Sequence, residues 1–194
     1  AKQLVSSAHT TTTLRFAFCF LSRADTTTMT TVPKHIDFYF DFISHNAYLA
    51  WHVLPDLAQK HACTLRPIPV LFAGFLKAYG QLGPAEVQPK LEWMNRNVLR
   101  KATELGIPLT PPKQHPFRPL ILLRLASLNM TNEERCVLIG VLFRGVWVDK
   151  LDPNDPGAVR DYLEANNSRT GDLIQRVDDE TAKTEVKTNT DECL

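Results

Sequence analysis

Residues 36–42 read Ile-Asp-Phe-Tyr-Phe-Asp-Phe, so Ile36, Phe38, Phe40 and Phe42 point one way and Asp37, Tyr39 and Asp41 the other. Strict period-2 alternation with aromatic enrichment predicts a β-strand with one buried face. Ile43-Ser44-His45-Asn46 follows, rich in residues that cap helices. A helical stretch over 47–61 comes next, with Tyr48, Trp51, Leu54 and Ala58 near one face. Pro55 is expected to kink or split this helix. Residues 63–71 form an apolar stretch read as a second strand that leaves the sheet at Pro67 and Pro69. Strand, helix and strand in about 35 residues predict a right-handed parallel βαβ unit.

Beyond Glu86 the periodicity turns helical. Leu91, Met94, Val98, Ala102 and Leu105 mark one apolar face, and Val137, Val141 and residues 143–147 mark another. Five prolines between Pro108 and Pro119 predict the loop between them. A second break at residues 152–157 precedes short polar-faced helices over 158–165 and 172–190. This part is expected to be an all-helical block without repeats, its apolar stripes serving as core.

A chain of 194 residues with 44% hydrophobic and 22% charged side chains is that of an ordinary globular protein. At this length roughly 70% of the unfolded surface can be buried. A disulfide-stapled miniprotein, collagen and wholesale disorder are excluded. The longest apolar runs, at 16–21 and 70–76, fall far short of the ~18 residues that span a bilayer. No integral membrane protein is expected.

The formal charge of +1 hides an asymmetry: residues 1–150 carry 17 basic and 10 acidic side chains, and residues 151–194 carry 5 and 11. The ten Lys/Arg between Lys60 and Arg124 are dispersed among apolar residues, which suits a small anionic ligand and argues against nucleic acid. Cys19, Cys63, Cys136 and Cys193 lie 44, 73 and 57 residues apart, and the six histidines form no HxxxH or HExxH. No metal is expected, and the thiols are expected to be reduced.

The first methionine is Met29, and residues 1–34 are basic, hydroxyl-rich and nearly free of acids. They read equally as an organelle transit peptide and as a disordered leader before a start at Met29. Mitochondrial and cytoplasmic locations follow from the two readings. At the other end the chain stops inside a polar, helix-compatible pattern with no capping glycine and no closing strand. Truncation at the C-terminus is the expectation there.

In open α/β sheets ligands bind beyond the carboxyl ends of strands, where helix N-termini present free N–H groups. Ser44 falls at that place. Its hydroxyl can serve as an N-cap alone, as can Asn46, or donate to an anion such as a bound thiolate, and the spacing leaves both open. Ser44 and His45 are adjacent but lack a third partner, so a hydrolase is not expected.

IDFYFDFISHNAYLAW over residues 36–51 resembles the opening of the 2-hydroxychromene-2-carboxylate isomerase and kappa-class glutathione transferase family. PVLFAGFLKAYGQ over 69–81, continuing into LGPAE over 82–86, resembles that family's second signature in a form nearer the isomerase branch. The proline loop at 107–117 and the helical stretch beyond also fit, so the similarity runs from about residue 34 to 194.

The resemblance implies an α/β, thioredoxin-like fold with an inserted all-helical domain, related to the bacterial disulfide oxidoreductases. The implied boundaries are a leader at 1–34, the βαβ part at 35–84, a helical insertion at 85–180, and at 181–194 the start of a return whose final strands and terminal helix are missing. It implies glutathione as cofactor, with Ser44 as the catalytic residue that hydrogen-bonds the sulfur, and Ser44, Asn46 and Gln81 as glutathione-binding residues. It further implies thiolate addition to a conjugated aromatic carboxylate, bond rotation in the opened adduct and elimination of glutathione. A small aromatic or electrophilic substrate and a possible homodimer are the implied partners.

Two departures stand out. His45 replaces a proline common in the family, which puts an ionisable ring near the sulfur, and the family's Gly-(Val/Leu)-Pro segment is absent. Two alternatives stay open: a kappa-type glutathione transferase or peroxidase, and an inactive thioredoxin-like fragment acting at most as an interaction module. A disulfide oxidoreductase is not expected, because residues 44–47 hold no cysteine.

Overall fold

The structure is a computed structural model and describes residues 34–166 and 171–194. The leader reading falls on residues outside that set. The described chain opens with β1 (His35–Phe40), α1 (His45–Lys60), β2 (Thr64–Pro69) and α2 (Phe72–Ala78). A 3₁₀ turn at Pro84–Glu86 leads to α3 (Gln88–Leu105), α4 (Leu120–Ala126), α5 (Asn132–Trp147) and α6 (Pro156–Asn166). A second 3₁₀ segment, Gly171–Arg176, precedes α7 (Glu180–Asp191).

β1 and β2 pair in parallel, with His35 opposite Thr64 and Phe40 opposite Pro69, joined through α1 as the alternation and the caps predict. The strand ends at Pro69 as expected, but Pro67 does not interrupt it. Pro67 and Pro69 both lie within β2, opposite Phe38 and Phe40. The backbone parity explains it: Thr64 N–H donates to Lys34 O and Val70 N–H to Phe40 O, so even-numbered residues of β2 face β1. Odd-numbered Pro67 and Pro69 therefore direct their missing donors away from β1, where no ladder bond is lost. Pro55 likewise neither splits nor ends α1, which is continuous through it.

Phe40 and Phe42 are buried and Tyr39 is exposed, as the alternation requires, and Asp37 on the outer face pairs with Arg66 of β2 at 2.6 Å. β1 nevertheless stops at Phe40, two residues short of the expected end, because Asp41 turns inward instead of outward and is only 4% exposed. The expected α5 stripe holds at Phe143, Val146 and Trp147 and is corrected at its start. Val137 is exposed, while Leu138, Ile139, Leu142, Phe143 and Val146 form the buried face. Leu105 at the end of α3 also faces outward.

One buried cluster joins the βαβ unit to the helices after it. Phe143 of α5 sits against Phe42 with ring centroids 4.7 Å apart, against Phe40 at 5.6 Å, and against Tyr48 and Trp51 of α1 at 6.1 Å each. α7 closes the far side. Its Thr190 Oγ1 accepts the Leu71 N–H at 2.9 Å, and Asn189 donates to Pro69 O. A Cβ added at Gly74 of α2 would lie 2.9 Å from Thr190 Cγ2, so only glycine allows this approach of α2 to α7.

Candidate functional site

The turn between β1 and α1 is gripped from several directions. Asp41 O accepts the Ser44 N–H at 3.0 Å. The Asp41 carboxylate accepts the Ile43 N–H through Oδ1 at 3.1 Å and the Phe72 N–H through Oδ2 at 2.9 Å, fastening the start of α2 to the turn. Trp147, the last residue of α5, donates its indole N–H to Phe42 O at 3.0 Å. His115, from the proline-rich loop, places Nε2 2.9 Å from Ile43 O, a contact that requires the proton on Nε2. Tyr48 Oη donates to Pro108 O and ties α1 to the same loop.

Ser44 is the N-cap of α1, its Oγ accepting the Ala47 N–H at 3.2 Å. That bond uses a lone pair and leaves the hydroxyl proton free to donate. The first turn of α1 holds no acidic side chain, so no carboxylate within the helix offsets its positive end.

Ser44, His45 and Asn46 line one wall of a cavity of about 710 Å³. Its other walls come from Leu71, Phe72 and Leu76 around α2, from residues 83–86, from Met94 of α3 and from residues 115–120. The lining is predominantly apolar, and the volume lies within the ~300–1,000 Å³ typical of small-molecule sites. The structure thus brings Ser44 and Asn46 to one cavity. Gln81 is exposed in the loop after α2, its N–H bonded to Leu76 O, and does not line that cavity, although Leu76 before it and Gly83 after it do.

Burial shifts two ionisable neighbours of Ser44 toward their uncharged forms. Burial raises Asp41 to about 6, against the opposing pull of the Phe72 and Ile43 N–H groups on its charged form. His45 is 8% exposed, with its ring centroid 6.4 Å from His115 and 6.0 Å from Trp147. Burial first, then the charges of His115 and Lys101, lower it to about 4. The ring beside Ser44 is therefore neutral at pH 7 and adds no cationic charge to the site.

Sequence reasoning missed Asp41, His115, Phe117 and Arg118 as lining residues. The pattern of β1 puts Asp41 on the outer face, and 69 residues separate His115 from Asn46. A hint was available for Asp41, since a carboxylate just ahead of a helix-capping serine is well placed to accept backbone N–H groups. Among the described residues no group of three or more His, Cys, Asp or Glu is arranged to hold a metal, and no helix is long and apolar enough to cross a membrane.

Comparisons with known proteins identify what the chain is similar to. The model of the DSBA-like thioredoxin domain matches residues 35–193. The 2-hydroxychromene-2-carboxylate isomerase of Sphingobium xenophagum is 32% identical over 135 residues, covering 69% of this chain and 68% of the relative. Glutathione S-transferase kappa 1 of Caenorhabditis elegans is 38% identical over 84 residues, 42% of this chain and 37% of that protein. A solved structure of a 2-hydroxychromene-2-carboxylate isomerase superposes with a TM-score of 0.66 at 25% identity, covering 81% of this chain and 77% of the other.

Proposed function

This chain belongs to the DSBA-like thioredoxin domain family, and from that premise we propose that it is a glutathione-dependent isomerase of the 2-hydroxychromene-2-carboxylate type. The observation that carries the reading is Ser44, a helix cap with a free hydroxyl proton on the wall of an apolar cavity. The sequence kinship to isomerases of that name supports it.

The residues present fit glutathione. A sulfur beside Ser44 meets one O–H donor and the positive end of α1, and both favour the thiolate. Glutathione, when bound, supplies a nucleophilic sulfur that adds to the conjugated substrate and later leaves. The protein's part is to hold that sulfur in its charged form and to orient the aromatic partner against it. Ser44 does the first, with His45 neutral at its side. The apolar walls formed by Leu71, Phe72, Met94 and Phe117 do the second, excluding water from an aromatic body. Asn46, one residue into the helix from His45, is a second donor within the same wall. Gln81 is proposed to reach the peptide part of glutathione from the cavity's outer margin.

A kappa-type glutathione transferase would use the same serine in the same way, and the partial match to the nematode protein favours it as the second reading. Product analysis with 2-hydroxychromene-2-carboxylate against generic electrophiles separates the two.

The test is calorimetric titration with reduced glutathione, alongside turnover of 2-hydroxychromene-2-carboxylate, for wild type and Ser44→Ala, with circular dichroism to establish folding. Losing a hydrogen bond to a charged sulfur is expected to lower turnover about ten- to a hundredfold and to move the thiol's ionisation to higher pH. Undiminished turnover in Ser44→Ala, or no glutathione binding by the folded wild type, would overturn the proposal.

A further inference from the structure

The cavity beside Ser44 contains few charges, and all but one are committed. Asp41 spends its two carboxylate oxygens on the Ile43 and Phe72 N–H groups. Glu86 Oε1 accepts the Gly83 N–H at 2.7 Å. His115 gives Nε2 to Ile43 O, and His45 is packed against the His115 and Trp147 rings. Arg118 remains. Its backbone N–H is fixed by Asn154 Oδ1 at 3.0 Å, yet among the described residues its guanidinium has no carboxylate within 4.0 Å and no hydrogen bond.

Other cations of the same region are paired or lie off the cavity. Arg124 binds Asp178 at 2.9 Å and Arg66 binds Asp37. Lys101 influences His45 but does not line the cavity. Arg118 is the only Lys or Arg among the lining residues, on a stretch whose other members, Pro116, Phe117, Pro119 and Leu120, are apolar. A planar fork of donors beside an apolar chamber is complementary to a ligand with an aromatic body and a carboxylate at one end.

We infer that Arg118 is the specificity residue of this cavity and pairs with a carboxylate of the bound ligand. This rests on the reading of the cavity as the isomerase site. Two carboxylates could meet Arg118 there: that of the aromatic substrate and one of those on glutathione. The experiment assigns which.

Cinnamate and its uncharged amide, cinnamide, share an aromatic conjugated body and differ in charge. Both are titrated into the full chain without glutathione, and glutathione is titrated separately, for wild type, Arg118→Gln and Arg118→Lys. The wild type is expected to prefer cinnamate to cinnamide. Arg118→Gln should lose that preference, weakening cinnamate about tenfold with cinnamide unchanged, because a charge-assisted pair is removed and the apolar contacts remain. Arg118→Lys should keep the charge but not the fork and fall between.

A cinnamate preference that survives Arg118→Gln, combined with glutathione affinity that falls about tenfold, assigns the pairing to glutathione's carboxylate and sustains the inference in that form. Unchanged binding of both cinnamate and glutathione in Arg118→Gln overturns it, as does a wild type that binds neither. The outcome is separable from the proposed function. Arg118-dependent cinnamate binding without isomerase turnover sinks the isomerase reading alone, and Ser44-dependent turnover with an indifferent Arg118→Gln sinks this inference alone.

Discussion

Phe143→Ala is expected to lower the unfolding free energy by about 3–5 kcal/mol, read as a shift of the urea midpoint at unchanged slope. Phe143 is fully buried, and four aromatic rings from β1, the turn after it and α1 pack around it at centroid distances of 4.7 to 6.1 Å. Truncation leaves a hole bounded by large, mutually wedged rings, which have little freedom to collapse into it. The cost should reach the site, because Phe42, whose carbonyl receives the Trp147 indole N–H, loses its nearest ring. Phe143→Leu, which keeps most of the volume, should lose less and remain folded if the alanine variant does not. A midpoint loss equal for leucine and alanine would show that the packing argument is mistaken.

The second large effect is a pH dependence with opposite signs in two variants. Asp41 is raised in the folded chain to about 6, so its contribution to stability is complete below about pH 4 and is lost as pH rises through about 6. His45 is lowered to about 4, so its contribution is complete above about pH 6.5 and is lost as pH falls through about 4. In the wild type these two trends oppose each other over the same window. Asp41→Asn removes the first, and its stability should fall relative to wild type on acidification from pH 7 to 4, by about 2 kcal/mol. His45→Gln removes the second and should gain relative to wild type over the same range. Urea titrations of the three proteins at pH 4, 5, 6 and 7 provide the measurement, and parallel curves would refute both assignments.

Much of the first half of this architecture was readable from residues 35–61. A period-2 run bounded by a serine cap and a period-3.6 run leaves few alternatives, and β1 and α1 stand within two residues of where that reasoning puts them, with Ser44 as the cap. What escaped it depends on groups distant in sequence. Nothing in the alternation around Asp41 reveals that Phe72, 31 residues on, needs an acceptor for its N–H and draws the carboxylate inward. Pro67 and Pro69 look like strand breakers until the parity of the ladder shows their nitrogens facing away from β1. α2 was missed because seven residues are too few to show a helical period. α5 was found with Phe143, Val146 and Trp147 correctly inward but with exposed Val137 in place of Leu138, Ile139 and Leu142, since its apolar side chains occur all around and only packing chooses the face. At the site, Ser44 and Asn46 were visible in the local pattern. The opposite wall, with His115 and Arg118, comes from a proline-rich loop with no periodicity to interpret.

The outer margin of β2 carries a further implication. Of the odd-numbered residues facing that side, Leu65 alone retains a backbone N–H, while the carbonyls of Leu65 and Pro69 already receive the side-chain amides of Asn132 and Asn189. An incoming strand there would find one donor where it needs three, and acceptors already taken. The sheet is thus sealed along one flank, and lateral growth, whether by a neighbouring segment or by runaway stacking of unfolded chains, is confined to the β1 flank. Substituting Pro67 and Pro69 together would restore the missing donors and unseal it.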